Sequence, residues 1–275
     1  MVAAGAMQQG ANVFAGMASL PHLVEGIPFA ATLLGVLTAH EFGHYFAARR
    51  WGVRASLPYF IPLPYFSFLG TLGAVIKIRS PIPNNRALLD IGAAGPLAGL
   101  VIALAACVIG LPQSTLVQER YFHWEPIQLG APLIFRGLSA LFLPEVVPDQ
   151  MVLLSPVAFA GWVGLFITAF NLFPVGQLDG GHIVYALFGR RHRLIGRLTF
   201  AALLGLGLFN ILSPLWGGLQ GSPVWLALAF LLLLLGRDHP STRDPGTPLD
   251  PRRRRLGYLC LAVFALCFTP VPFRF

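Results

Sequence analysis

Thirteen consecutive residues without a charge, Ile27 to Ala39, run straight into His40-Glu41-Phe42-Gly43-His44, and Tyr45-Phe46-Ala47-Ala48 continue the apolar stretch. From Ile27 to about Ala48 the run is long enough, at about 20 residues, to cross the hydrocarbon of a bilayer as one helix. That is a severe constraint on the fold. A segment in lipid has to satisfy its own backbone hydrogen bonds, and a helix does so internally. Two histidines four apart lie one above the other on a helix face, so both imidazoles reach a single ion. Glu41 is turned away from that face, yet it can approach the position that a zinc-bound water takes. The spacing is that of a zinc hydrolase, set in a helix built for lipid.

Only 11% of the 275 residues are charged and 56% are hydrophobic, against about 25% charged in soluble domains. A polytopic membrane protein follows from that balance. The net charge of +8 raises nucleic acid as a partner. The basic residues, however, lie in short loops between apolar runs, which is the pattern of the positive-inside rule. No nucleic-acid-binding motif accompanies them, and nucleic acid is set aside. Cys107, Cys260 and Cys267 all lie in apolar runs without CxxC spacing and read as packing residues.

Along the chain, residues 1–26 are weakly apolar and rich in Gly and Ala. They read either as a marginal helix or as the remainder of a longer start. Arg49, Arg50 and Arg54 follow the first span and put its end on the cytoplasmic side. Leu57 to Phe66 is apolar, but its prolines forbid a regular helix. Gly70-Thr71-Leu72-Gly73-Ala74-Val75 opens a strand-like stretch that continues to Arg79. A strand there with a free edge can accept a substrate strand by main-chain pairing, so Gly70 to Val75 are the expected substrate-binding residues.

Further spans are expected at Ala87–Leu111, Met151–Phe173, Leu198–Leu215, Trp225–Leu235 and Leu256–Phe268. In the second, Gly92 to Gly99 is rich in small residues that permit close helix approach. Asp90 reads as a helix-start or loop residue. The loop at 112–150 carries Glu119, Glu125, Glu145 and Asp149 and fits the outer side, with an interfacial helix at Leu133–Leu143. The Met151 span runs into a broken stretch, Asn171-Leu172-Phe173-Pro174-Val175-Gly176-Gln177-Leu178-Asp179-Gly180-Gly181-His182, and Arg190, Arg191, Arg193 and Arg197 follow. The break therefore lies on the same side as His40 and His44. Arg237 to Arg255 forms a last basic, proline-bearing loop.

A catalytic zinc takes three protein ligands and a water, so two histidines leave one ligand to find. Asp179 is the best candidate, because a carboxylate with two histidines is a known catalytic set and its broken backbone suits a cavity. The competing roles are a turn residue for Asp179 and a ligand role for His182. Asn171 either donates to a developing oxyanion or caps the broken helix. His22, His123, His192 and His239 carry no partner pattern.

Two separated motifs in this order resemble the site-2 protease family of intramembrane zinc metalloproteases. One is His40-Glu41-Phe42-Gly43-His44 within an apolar helix. The other is Asn171-Leu172-Phe173-Pro174 with Leu178-Asp179-Gly180, similar to that family's Asn-x-x-Pro…Leu-Asp-Gly signature. Gly70–Val75 and Gly95–Gly99 also look familial, and together the resemblance covers about residues 27–190. It implies one zinc ion per chain held by His40, His44 and Asp179, with Glu41 as general base and Asn171 assisting the substrate or the intermediate. It implies single-span, membrane-anchored substrates such as anti-sigma factors or transcription-factor precursors.

The expectation is thus an all-α polytopic membrane protein of about six transmembrane helices, with a small membrane-associated β segment at about 55–80. A single protease domain takes up the chain, its core at about 27–190 and further transmembrane helices beyond. A prokaryotic cell membrane is the expected location, with the zinc site toward the cytoplasm. The competing functional class is a membrane transporter or channel that binds a metal without proteolysis.

Overall fold

The computed structural model describes residues 1–3, 24–62, 71–118, 128–145, 147, 149–212, 215, 224–235 and 242–274. Gly70 of the expected substrate strand lies outside the described residues. So do most of the first 26 residues, Glu119, Glu125, His22, His123 and His239. The described chain is mostly helical with small antiparallel sheets. It divides into two compact units, one of residues 1–80, 97–121 and 137–167, the other of 81–96, 122–136 and 168–275.

Helix α1 (Ile27–Arg50) belongs to the first unit and carries the histidine motif. Pro28 occupies its first turn, where the missing N–H costs nothing. Its far end closes with a Schellman motif. Gly52, at φ 67°, donates to the Arg49 carbonyl at 3.0 Å, and Val53 donates to Ala48 at 2.9 Å. Strands β1 (Tyr59–Pro62) and β2 (Thr71–Val75) pair antiparallel, with an irregularity between Ile61 and Pro62. Proline has no N–H to give a ladder, which accounts for the break there. The pairing continues outward through Ser56 N–H to the Lys77 carbonyl at 2.9 Å and Arg79 N–H to the Arg54 carbonyl at 2.7 Å. Within the expected β segment, residues 54–62 and 71–79 thus pair as the two arms of a hairpin, and β2 packs against α1.

Helix α2 (Asn85–Gly110) starts at Asn84, whose side-chain oxygen accepts from Ala87 N–H at 3.0 Å. Strands β3 (Thr115–Gln118) and β5 (Gln150–Leu153) form a second antiparallel pair in the first unit. Between them in sequence come β4 (Gln128–Leu129) and α3 (Leu133–Phe142). At ten residues α3 is too short to cross a bilayer. It leaves Leu133, Leu141 and Phe142 exposed, as the expected interfacial helix would.

Helix α4 (Pro156–Asn171) is shorter than the span expected from Met151. Met151 to Leu153 are strand instead, and the helix opens only where Ser155 caps it, its hydroxyl accepting from Ala158 N–H at 3.2 Å. Proline directly after that serine fixes the start. Phe29 of α1 stacks on Phe159 of α4, centroids 5.1 Å apart, in the core of the first unit. Glycines let these helices close up. A Cβ at Gly161 would lie 2.7 Å from the Cys107 sulfur of α2, and one at Gly164 would lie 2.7 Å from the Ala103 Cβ. All three cysteines are buried and none is in a disulfide, in line with a packing role.

The second unit holds α5 (Asp179–Phe188), α6 (His192–Leu212), α7 (Val224–Leu235) and α8 (Pro251–Cys267), with β6 (Phe273–Arg274) pairing β4. Helix α8 begins earlier than the expected Leu256, because Asp250 caps it and Pro251 takes its first position. Among the described residues two helical stretches are long and apolar enough to cross a membrane, Asn85–Gln113 and Asp179–Leu212. Helix α1 falls short of that description because His40, Glu41 and His44 interrupt its apolar character. Helices α4 and α7 are apolar but shorter.

Candidate metal centre and catalytic residues

One turn of α1 separates His40 from His44, and their Nε2 atoms stand 3.1 Å apart. Both rings are buried, at 5% and 7% exposure, and Glu41 beside them is 6% exposed. Three ionisable side chains withdrawn from solvent on one helix are costly unless they hold a ligand or one another. At 3.1 Å a protonated ring nitrogen can donate to its neighbour, or a cation can take the place of that proton. Two nitrogens bound to zinc at about 2.0–2.1 Å in a tetrahedral array stand about 3.3 Å apart. The histidine pair thus fits such an ion with a shift of a few tenths of an ångström.

The neighbouring helix presses on this pair. A Cβ at Gly99 of α2 would lie 3.2 Å from the His40 Cβ and 3.4 Å from its Nδ1. Gly99 therefore lets α2 rest against the imidazole and helps to hold its rotamer. The sequence pointed to a small-residue segment, and this contact names the position within it that faces the motif.

The second motif folds within the second unit. Helix α4 ends at Asn171 and α5 begins at Asp179, with residues 172–178 as the turn between them. Leu178 occupies the N-cap, so Asp179 is the first helical residue. Its carboxylate lies in the first turn, where the helix dipole favours negative charge. The turn is tight. A Cβ at Gly180 would lie 2.0 Å from the Leu172 carbonyl oxygen, and one at Gly181 would lie 2.3 Å from that of Gly176. Backbone cannot yield as a side chain does, so both positions demand glycine.

Phe173, in the middle of that turn, is 3% exposed. It is ringed by Trp225 at 5.7 Å, Phe264 at 4.9 Å and Phe268 at 5.9 Å between centroids. The Trp225 indole N–H in turn donates to the Pro270 carbonyl at 2.5 Å. Helices α7 and α8, which looked like no more than extra apolar spans, thus form the wall behind the Asp179 turn. Scattered single aromatic residues left no periodic signal by which the sequence could have disclosed this.

His182 lies one turn along α5 from Asp179. Its Cβ would be 3.0 Å from a Cβ placed on Gly92 of α2. It packs toward that helix at a second close approach. Asp90, read as a helix-start residue, sits inside α2 and takes a forked pair from Arg253, at 2.8 and 3.0 Å. Arg253 also reaches Asp250 at 2.5 Å. Arg253 thereby holds the Asp250 carboxyl down to about 2, chiefly through its side-chain hydrogen bond. The same seam includes Asn85, whose amide donates to the Pro245 carbonyl at 2.9 Å.

A protein of Arabidopsis thaliana named probable zinc metalloprotease EGY2, chloroplastic, is 32% identical over 264 residues, 94% of this chain and 44% of that protein. A rice (subsp. japonica) protein named probable zinc metalloprotease EGY1, chloroplastic, is 32% identical over 258 residues, 92% of this chain and 42% of that protein. The Arabidopsis thaliana EGY1 is 31% identical over 260 residues, 91% and 44%. The chain spans less than half the length of these relatives, and the likeness reaches well past residue 190. The family description for peptidase family M50 matches residues 28–213, which take in both motifs. The chain belongs to peptidase family M50, the site-2 protease family.

Proposed function

We propose that the chain is an intramembrane zinc metalloendopeptidase, cleaving peptide bonds within transmembrane segments of membrane-anchored regulatory proteins. The observation that carries this reading is the buried His40–Glu41–His44 group, with its ring nitrogens 3.1 Å apart, in a chain of family M50. Names of the relatives, as zinc metalloproteases, support the same chemistry.

His40, His44 and Asp179 would hold one zinc ion per chain. Zinc bound there supplies the Lewis acidity that makes water nucleophilic near neutral pH and polarises a peptide carbonyl. Glu41 accepts the proton of the attacking water on a carboxylate oxygen and passes it to the leaving amine. Asn171 offers an amide N–H to the developing oxyanion or aligns the substrate backbone. A helical substrate first has to unwind, since its carbonyls are hydrogen-bonded along its own axis. The Thr71–Val75 strand of the hairpin, with Gly70 before it, would hold the released segment extended. In support, β2 lies against α1 and has β1 as its single strand partner among the described residues.

The membrane reading rests on apolar side chains left in the open. Val101, Val108 and Ile109 of α2 and Leu198, Leu208, Phe209 and Ile211 of α6 are all exposed. Exposed apolar side chains along a helix suit lipid and not water. About six spans, α1, α2, α4, α6, α7 and α8, alternate without conflict among the loop charges. The shorter ones reach across by snorkelling of flanking arginines and local thinning. The site then opens toward the cytoplasmic side. A metal transporter has no specific observation in its favour.

Reconstituted protein with a single-span anti-sigma-type substrate tests the proposal. Glu41→Gln abolishes cleavage, a loss of roughly 10²–10⁴-fold, while zinc content by elemental analysis stays at the wild-type level. Full cleavage by that variant, or cleavage indifferent to a zinc chelator, overturns it.

A further inference from the structure

Below the histidine motif, at the end of α1, a cleft of about 540 Å³ is lined by Tyr45, Arg49, Gly52, Val53, Arg54, Ala55 and Arg79. That volume lies within the range of small-ligand sites, about 300–1,000 Å³. Three of the seven lining residues are arginines and none is acidic. Among the described residues no carboxylate forms a salt bridge with Arg49, Arg54 or Arg79. We propose that this cleft binds the phosphate headgroup of an anionic phospholipid. The proposal rests on the membrane placement of α1 given above, and it concerns a site separate from the histidines.

The backbone holds the three charges together. Arg54 N–H donates to the Ser80 hydroxyl at 2.8 Å, and Arg79 N–H donates to the Arg54 carbonyl at 2.7 Å. The open end of the hairpin therefore sets Arg54 beside Arg79. The third charge comes from the last turn of α1, where the Arg49 guanidinium lies 5.8 Å from the centroid of the Tyr45 ring. Guanidinium groups match phosphate oxygens as planar forks, and three of them outweigh a single headgroup charge.

The opposing effect is the negative end of the α1 dipole, equivalent to about half a charge. Here the Schellman motif covers the Ala48 and Arg49 carbonyls with the N–H groups of Val53 and Gly52, which blunts that end. Large apolar side chains close in sequence to the lining residues are exposed. Phe46 on α1 is 61% exposed and Leu57 on the hairpin is 62% exposed. A ligand with a phosphate head and acyl chains meets both features, whereas free phosphate uses only the arginines. Basic pockets on the cytoplasmic side of membrane proteins take anionic headgroups by this chemistry.

Purified, delipidated full-length protein in neutral detergent is titrated with phosphatidylglycerol or phosphatidylcholine, and bound lipid is counted by native mass spectrometry. Phosphatidylglycerol is retained in preference. Each basic residue at an anionic surface contributes about fivefold in affinity, so Arg54→Gln with Arg79→Gln weakens its retention roughly 25-fold. Arg190→Gln with Arg193→Gln removes the same charge elsewhere and leaves retention unchanged. Equal retention of the two lipids, or equal loss in both double variants, overturns the proposal. Displacement of the lipid by millimolar inorganic phosphate overturns the lipid assignment and gives the cleft to a free phosphate species. Elemental analysis of the same samples keeps the two readings apart. Lipid retention without zinc refutes the protease reading alone, and zinc without preferential lipid retention refutes this one alone.

Discussion

The histidine pair and the aspartate turn build their geometry by opposite means. His40 and His44 need only a continuous helix, since a spacing of four brings them together through local hydrogen bonds alone. Asp179 needs a turn whose glycines touch backbone carbonyls and whose Phe173 is gripped by residues fifty to ninety-five positions further on. The first arrangement is short-range and tolerant of change elsewhere in the chain. The second depends on contacts that exist only once the late helices have packed. Loss of tertiary structure should therefore degrade the aspartate turn well before the histidine pair.

Phe173→Ala attacks that difference most directly. It removes a buried ring and its three aromatic partners' contacts, at a cost of about 3–5 kcal/mol. Phe29→Ala, equally buried against Phe159 in the first unit, costs a similar amount. Thermal unfolding in detergent should therefore treat the two alike, while zinc affinity falls in Phe173→Ala and much less in Phe29→Ala. Equal zinc loss in both would erase the contrast.

Gly180→Ala should come next. Its methyl would lie 2.0 Å from a backbone oxygen, and overpacking of this kind costs about 1–3 kcal/mol or more. The expected result is a lowered Tm with zinc affinity down at least tenfold. Gly99→Ala should be milder, because the His40 side chain at 3.2 Å can give way slightly. A loss of several-fold in zinc affinity with Tm nearly unchanged would sharpen the view that Gly99 orients a ring and does little for stability.

The smallest effect should be pH-dependent and belongs to the Asp90–Arg253–Asp250 seam. Asp250 has a folded-state value of about 2 against 3.8 unfolded. Its contribution is therefore complete above about 3.8 and is lost as pH falls through about 2. Asp250→Asn should flatten the Tm-versus-pH curve between pH 4 and 2 and leave neutral-pH stability close to wild type. A wild-type curve already flat there would remove the seam from the stability account.

How much of this could be read from the residues follows the same division. The histidine motif, a β segment at about 55–80, the small-residue approach of the second helix and the break before Asp179 are all legible. Each is written in local spacing or in proline and glycine. The start of α4 is not, because apolar residues at 151–153 read alike as strand or helix and only the Ser155–Pro156 cap separates the two. The partner of Asp90 was out of reach, since Arg253 lies 163 positions away. So was the aromatic enclosure of Phe173, whose members share neither a period nor a motif.

That enclosure bears on what counts as the working unit of this family's fold. The family description ends at residue 213, and a chain cut there keeps every residue of both motifs. It would also keep Phe173 while discarding Trp225, Phe264 and Phe268, the three rings that surround it. The region recognisable by its signature and the region able to hold its own chemistry in place are thus of different lengths. For this chain the second runs almost to the C-terminus.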